Sequence, residues 1–334
     1  MRAGRSVWQG VGQMATDEPT SYEEWHATPR ELRVPTDPAR PWLPPPRPAP
    51  EGGWTTRLLV EYDGTDFVGW AKQPGKRSVE AEFERVLGQI LGDVPRIIVG
   101  GRTDTGVHAR GQVVAYDGEA LAPYNLNALL PRDVAVLESV PARPGFDPRN
   151  EAISRTYRYR VWHSRERTVF GQRDTLQWGR ALDLAALRAC AEALIGNHDF
   201  AAFTPTETLH SWFRRTVDHA SWSYEDGHEG DGSPVARTAS VSPVLVFEIT
   251  ADSFLRHMNR ALVGTMLDVG LGMRTVDEFV ALLAGAPRAQ AGWTAPPTGL
   301  ALESIQFPDE LRSPDNGMVA APGKQAADSD TDSQ

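Results

Sequence analysis

Apolar positions recur along this chain with two periods, and the switches between them mark out its elements. Thr56 to Tyr62 is rich in β-branched, aliphatic and aromatic residues and stops at Asp63-Gly64, a turn signal, so it reads as a strand. From Ser78 the period changes. Val79, Phe83, Val86, Leu87, Ile90 and Leu91 fall on one helical face, with Glu80, Glu82, Glu84 and Arg85 away from it. Arg96 to Val99 and Gln112 to Tyr116 read as strands on either side of a glycine-containing loop. Tyr124 to Leu130 predicts a short helix closed by Pro131, and Val134 to Val140 and Arg155 to Trp162 predict two further strands. The order β-α-β-β-α-β-β lets helices cover one face of a largely antiparallel sheet.

The second half repeats this style without a clear sequence repeat. Asp183 caps a helix that runs through Leu194. Thr216 to Tyr224 and Val244 to Thr250 read as strands, with Gly227 to Gly232 in a polar hairpin loop. Leu255 to Leu271 reads as a long helix carrying Met258, Leu262, Met266 and Leu267. Thr275-Val-Asp-Glu278 has capping-box spacing and opens a helix to Leu283, and Ala301 to Phe307 is the last strand. The folded part divides into an α+β unit at 54–162 and a second at 163–307. Residues 1–53 read as a disordered extension, because eight prolines between Pro35 and Pro50 favour extended, solvated backbone. Residues 308–334 form an acidic, Ser/Asp-rich tail that is expected to be disordered too.

Composition narrows the function. Cys190 is the single cysteine, which excludes an internal disulfide and a cysteine-based zinc cluster; it lies in an apolar helix and reads as a packing residue. No apolar run approaches ~18 residues, so no membrane span is expected. The N-terminus lacks the apolar segment of a secretory signal, which makes the cytoplasm the expected location. The formal net charge is −10, and the balance stays acidic once both tails are set aside. Binding RNA therefore requires the basic residues to gather on one face. Arg57, Lys72, Lys76, Arg77 and Arg110 are candidates for phosphate contact, three of them in one loop.

The chemistry centres on Gly100-Gly101-Arg102-Thr103-Asp104-Thr105-Gly106-Val107-His108-Ala109, between two predicted strands. Paired glycines permit unusual backbone angles and close approach of another chain. A carboxylate beside a guanidinium at a strand end can serve as an ionised nucleophile, or the Asp can simply cap its own turn. Residue types alone leave both readings open.

The order of residues in this loop, Gly-Arg-Thr-Asp-x-Gly-Val-His-Ala, resembles the active-site motif of the TruA-type tRNA pseudouridine synthases. It departs at Thr105 and Gly100, where that family often has Ala. The resemblance implies that Asp104 is the nucleophile and that Arg102 fills the space left when the target nucleotide swings out. His108 receives no role. Arg155-Thr-Tyr157-Arg-Tyr159 resembles the family segment in which an Arg precedes a Tyr-x-Tyr strand, which implies that Tyr157 contacts the target uracil. On residue types alone, Tyr157 and Tyr159 simply share one face of a half-buried strand. Phe254 to Gly264 resembles the family's Phe-x-x-x-Met-x-Arg-x-x-x-Gly helix, which implies that Arg260 pairs with the catalytic Asp. Asn259 stands where that helix is usually apolar, and Ala71 where the family usually has Gln. Tyr62 to Trp70, Leu194 to Phe200, and Thr294 to Leu300 add further resemblance, which covers about Leu58 to Phe307.

The implied fold is α+β: two related ferredoxin/RRM-like units whose mostly antiparallel sheets join across a central cleft. The implied activity is isomerisation of uridine to pseudouridine at tRNA positions 38 to 40, by a homodimer whose tRNA spans both protomers. The reaction needs a carboxylate that attacks a carbon and later leaves, a group that keeps it ionised, and a surface that holds the detached base. It calls for no redox cofactor and no obligatory metal. Two other readings remain: a catalytically inactive RNA-binding module of the same fold, and a nucleoside or glycoside hydrolase, which would need a second carboxylate.

Overall fold

The computed structural model describes residues 22–27, 45–208, 212–236 and 241–308. After a six-residue helix α1 (Tyr22–Ala27), the first half contains β1 (Thr55–Tyr62), α2 (Val79–Leu91), β2 (Ile97–Val99), β3 (His108–Asp117), α3 (Pro123–Asn127) and β4 (Val134–Ala142). The second contains β5 (Ser154–His163), β6 (Leu176–Trp178), α4 (Leu184–Ala193), β7 (Gly196–Asp199), β8 (Arg214–Tyr224), β9 (Val244–Ala251), α5 (Met258–Gly270), α6 (Val276–Ala281) and β10 (Leu300–Gln306).

The strands form one sheet in the order β4-β1-β3-β10-β5-β9-β8-β7, with β2 beside β3 and β6 beside β5. Its pairings are antiparallel except β10 with β3 and β6 with β5. The last strand of the chain thus sits at the centre. Leu302 faces Ala109 of β3 on one side and Tyr157 of β5 on the other. β5 also pairs along its length with β9.

Period-two alternation decides which side chains meet the helices. In β3, Val114 and Tyr116 join the main core, while Val113 and Ala115 point to the opposite face and pack with Phe146 and Phe307. The inward faces of α2, α4, α5 and α6 share that main core with one face of β1, β3, β5, β8 and β9. Helix α5 is buried almost all round, as its continuous small and apolar sequence predicts. The capping box expected at Thr275 is formed, with Glu278 N–H donating to Thr275 Oγ1 and Thr275 N–H donating to Glu278 Oε2.

Several features differ from the sequence expectation. Helix α5 begins at Met258 rather than Leu255, because His257 adopts a left-handed backbone (φ 61°) that a helix cannot continue through. Strands β6 and β7 were not expected; Gly196-Asn-His-Asp199 is polar and carries no strand pattern, and its pairing with β8 creates the strand. Within the extension expected to be disordered, residues 45–50 lie against the fold. Arg47 is buried and donates to Asp117 at 2.8 Å. Further back, Tyr22 donates its hydroxyl to Asp147 at 3.2 Å. The acidic tail beyond Pro308 lies outside the described residues. Among the described residues no helix is long and apolar enough to cross a membrane.

Candidate active site

The loop between β2 and β3 is held by its own backbone partners. Gln112, fully buried in β3, closes a reciprocal pair with it: Gln112 Nε2 donates to Gly101 O at 2.6 Å, and Gly101 N–H donates to Gln112 Oε1 at 3.2 Å. Beneath the loop, Tyr62 Oη and Thr103 Oγ1 share a hydrogen bond of 2.7 Å. The segment after β1 grips the loop from the side. Trp70 N–H donates to Thr103 O at 3.0 Å, Gly106 N–H to Phe67 O at 3.2 Å, and Thr105 Oγ1 to Val68 O at 2.9 Å. Gly69 makes this approach possible. Its φ is +102°, and a Cβ there would fall 2.7 Å from Thr103 O. The Asp63-to-Trp70 stretch thus acts as a brace for the loop that carries Asp104.

His108 is a structural tie. Gly64 N–H donates to its Nδ1 at 3.0 Å, and its Nε2 lies 3.1 Å from Thr298 O. With Nδ1 accepting, the ring donates from Nε2, which is the neutral tautomer. Burial lowers its pKa in agreement.

Asp104 therefore stands on a rigid base with its side chain partly exposed. His257 Nε2 lies 3.7 Å from Asp104 Oδ2. Arg260 comes from the first turn of α5. Its Nε donates to Ala295 O at 2.7 Å, and Ala295 N–H returns to Arg260 O at 3.0 Å. Burial lowers the Arg260 guanidinium from its ordinary range, and the Asp104 carboxylate is foremost in opposing that. Arg260 thus lies within the electrostatic reach of Asp104 without forming a direct ion pair with it in this structure.

Tyr157 closes the site from β5. Its ring is buried and packs edge-on against Phe254, with centroids 4.9 Å apart. Its hydroxyl lies beside Gly101, where an added Cβ would come within 3.6 Å. Burial raises the phenol well above the ordinary tyrosine range, with Tyr62 and Asp104 adding to the effect and Arg155 opposing it. At neutral pH this ring is a neutral phenol, suited to packing and hydrogen bonding rather than to acting as a phenolate base. Asp104, Arg260 and Tyr157, which are distant in sequence, converge on one place, and Phe254 and His257 join them. Arg102 projects outward, exposed, and its side chain makes no hydrogen bond or ion pair among the described residues.

Most of the candidate phosphate contacts are already neutralised. Arg57 pairs with Glu138, Lys72 with Glu84, Arg77 with Asp133, and Arg110 with Asp174 and Glu303. Arg256, one turn before Arg260, is exposed and joins Arg102 as a cation without a carboxylate partner among the described residues. Sequence reasoning also missed Arg155 as a site component. It is buried in β5 and donates to the carbonyls of Gly100, Arg149 and Asp252, so it joins the start of the Asp104 loop to the chain that leads into α5. The available signal was a charged residue on the same strand face as Tyr157 and Tyr159, where an apolar one is expected.

A family profile described as tRNA pseudouridine synthase matches residues 190–308. The tRNA pseudouridine synthase A of Syntrophomonas wolfei is 34% identical over 261 residues, spanning 77% of this chain and 98% of that protein. That of Halalkalibacterium halodurans is 39% identical over 250 residues, 73% of this chain and 89% of its own length. That of Myxococcus xanthus is 36% identical over 258 residues, 76% and 92%.

Proposed function

This chain belongs to the tRNA pseudouridine synthase family, and from that premise we propose that it isomerises uridine to pseudouridine in tRNA. The observation that carries the reading at the level of the site is the convergence of Asp104, Arg260 and Tyr157 on one partly open place. The reaction breaks the bond between ribose C1′ and base N1, turns the base, and joins C1′ to C5. C5 gives up a proton and N1 takes one, so substrate and product are isomers, and no oxidant, reductant or net water enters.

In this mechanism Asp104 is the attacking carboxylate. Arg260 places a positive charge within electrostatic reach of it, and the fixed loop backbone holds it ready. Tyr157 offers the detached base an aromatic edge and a neutral hydroxyl. A base stacked on an aromatic ring gains about 1–3 kcal/mol, the same order as the few kcal/mol needed to extrude it. Arg102, exposed and planar at its head, can enter the stack that the uridine leaves. The finer reading places the substrate uridines at positions 38 to 40 of the anticodon stem-loop, the enzyme in the cytoplasm, and the working form as a homodimer. Arg102 and Arg256, exposed and without a carboxylate partner among the described residues, supply positive charge on the two segments that carry Asp104 and Arg260.

The test is tritium release from tRNA labelled at uracil C5, with pseudouridine mapped in the product and the oligomer measured by sedimentation. Release stoichiometric with pseudouridine at positions 38 to 40 is expected. Binding without release would point to an RNA-binding module, and free uracil would point to a hydrolase.

A further inference from the structure

His257 combines two independent features. It is the non-glycine residue with positive φ among the described residues, at 61°, on the threshold of α5. Asn, Asp and His adopt that conformation more readily than other side chains, and a residue held there aims its side chain where a helical residue would not. Its imidazole makes no cap for α5; instead Nε2 sits 3.7 Å from Asp104 Oδ2. The charged groups that face it are Asp104 from the loop, Arg256 and Arg260 from its own element, and Arg288 from the turn Arg288–Gln290.

We infer that His257 is a positioning residue for Asp104: the uncharged ring, beyond hydrogen-bond distance, limits where the carboxylate can swing, and a protonated ring holds it in an ion pair that blunts its attack. This rests on the reading of Asp104 as nucleophile. Burial, reinforced by Arg260, Arg256 and Arg288, lowers the imidazole from its ordinary value, while Asp104 alone works to raise it. The ring is consequently neutral at neutral pH and becomes charged only on the acid side. The left-handed turn at residue 257 is what sets the imidazole towards the loop instead of along the helix.

The experiment follows tritium release by the full chain between about pH 5 and pH 9, the window in which a histidine can titrate. It compares the wild type with His257→Asn and His257→Ala, and measures kcat and KM for whole tRNA. The Asn variant keeps a polar side chain that accepts the same backbone. Wild-type kcat should fall on the acid side with a midpoint below 6.5, at nearly constant KM. Both variants should lose that acid limb, with kcat at pH 8 about tenfold below wild type, a loss of roughly 1.4 kcal/mol in transition-state stabilisation. Should the Ala variant not fold, the Asn variant carries the comparison alone. An acid limb that keeps its midpoint in His257→Asn overturns the proposal, as does a rise in KM with kcat unchanged. A wild type that releases no tritium at any pH removes the proposed function itself, a separate result.

Discussion

Arg155 reaches the carbonyl oxygen of Gly100 with two donors, Nε at 3.2 Å and Nη2 at 3.0 Å. The same guanidinium donates to Asp252 O at 2.9 Å and Arg149 O at 2.6 Å. A buried cation thus fastens the root of the Asp104 loop to the segment that delivers Phe254, His257 and Arg260. Lysine cannot reproduce this, because its three donors lie on one atom while the acceptors lie around a planar fork. Arg155→Lys should destabilise the fold by about 2–4 kcal/mol, since some buried carbonyls lose their partner. It should also lower kcat beyond what the unfolded fraction explains. Urea midpoints and tritium release on the same preparation check both; wild-type stability in the Lys variant would refute the tie.

Asp104 and Arg260 should separate chemistry from binding. Asp104→Asn removes the proposed nucleophile while keeping size and hydrogen-bonding capacity. Turnover should fall by at least about 10⁴-fold, with tRNA affinity largely intact. Arg260→Ala removes both the field at Asp104 and the Ala295 contact. It should reduce kcat by about 10²-fold and weaken tRNA binding much less. Filter binding beside tritium release distinguishes the two quantities. Wild-type-like turnover in Asp104→Asn, or a loss confined to affinity in Arg260→Ala, contradicts the respective assignment.

Much of this site was legible before any coordinates because its key residues sit in fixed local orders. The Asp104 loop reads as an unbroken run, and Arg260 follows Phe254 at a set helical spacing. The elements showed for the same local reason: periodicity in α2, a capping box at α6, alternation in β5. What stayed hidden depends on partners far along the chain. The seat of β10 between β3 and β5 is a pairing choice that its own seven residues do not encode. The neutralisation of Arg57, Arg77 and Arg110 required knowing which carboxylates fold beside them. His257 was missed because a backbone angle, not a residue type, turns it towards Asp104.

Alkaline pH should unfold this protein through its buried phenols. Burial pushes Tyr62 and Tyr224 up to about 12, and raises Tyr157 and Tyr159 as well. In the unfolded chain the same groups titrate near about 10. Below pH ~10 both states hold these protons and stability is complete; between about 10 and 12 the unfolded state releases them first and stability falls. Each tyrosine contributes a slope of about 1.4 kcal/mol per pH unit in that window. Urea midpoints at successive pH values should hold level up to pH ~10 and then drop steeply. A level midpoint through pH ~11 would show that these rings are solvated.

Asn259 offers the opposite kind of test, a gain. It lies in α5 immediately before Arg260. Its side chain is buried, and its Oδ1 accepts no hydrogen bond among the described residues. A buried acceptor without a donor costs about 1–3 kcal/mol, and Leu keeps the same branched heavy-atom skeleton without that penalty. Asn259→Leu should therefore raise stability by about 1 kcal/mol or more, which for a chain of this size moves the melting midpoint by a few degrees, roughly 2–4 °C. If the midpoint rises and turnover holds, Asn259 is a tolerated packing defect beside the site. If the midpoint rises while kcat collapses, the amide serves Arg260 or the RNA, and its lack of a partner in the free protein is the mark of that use.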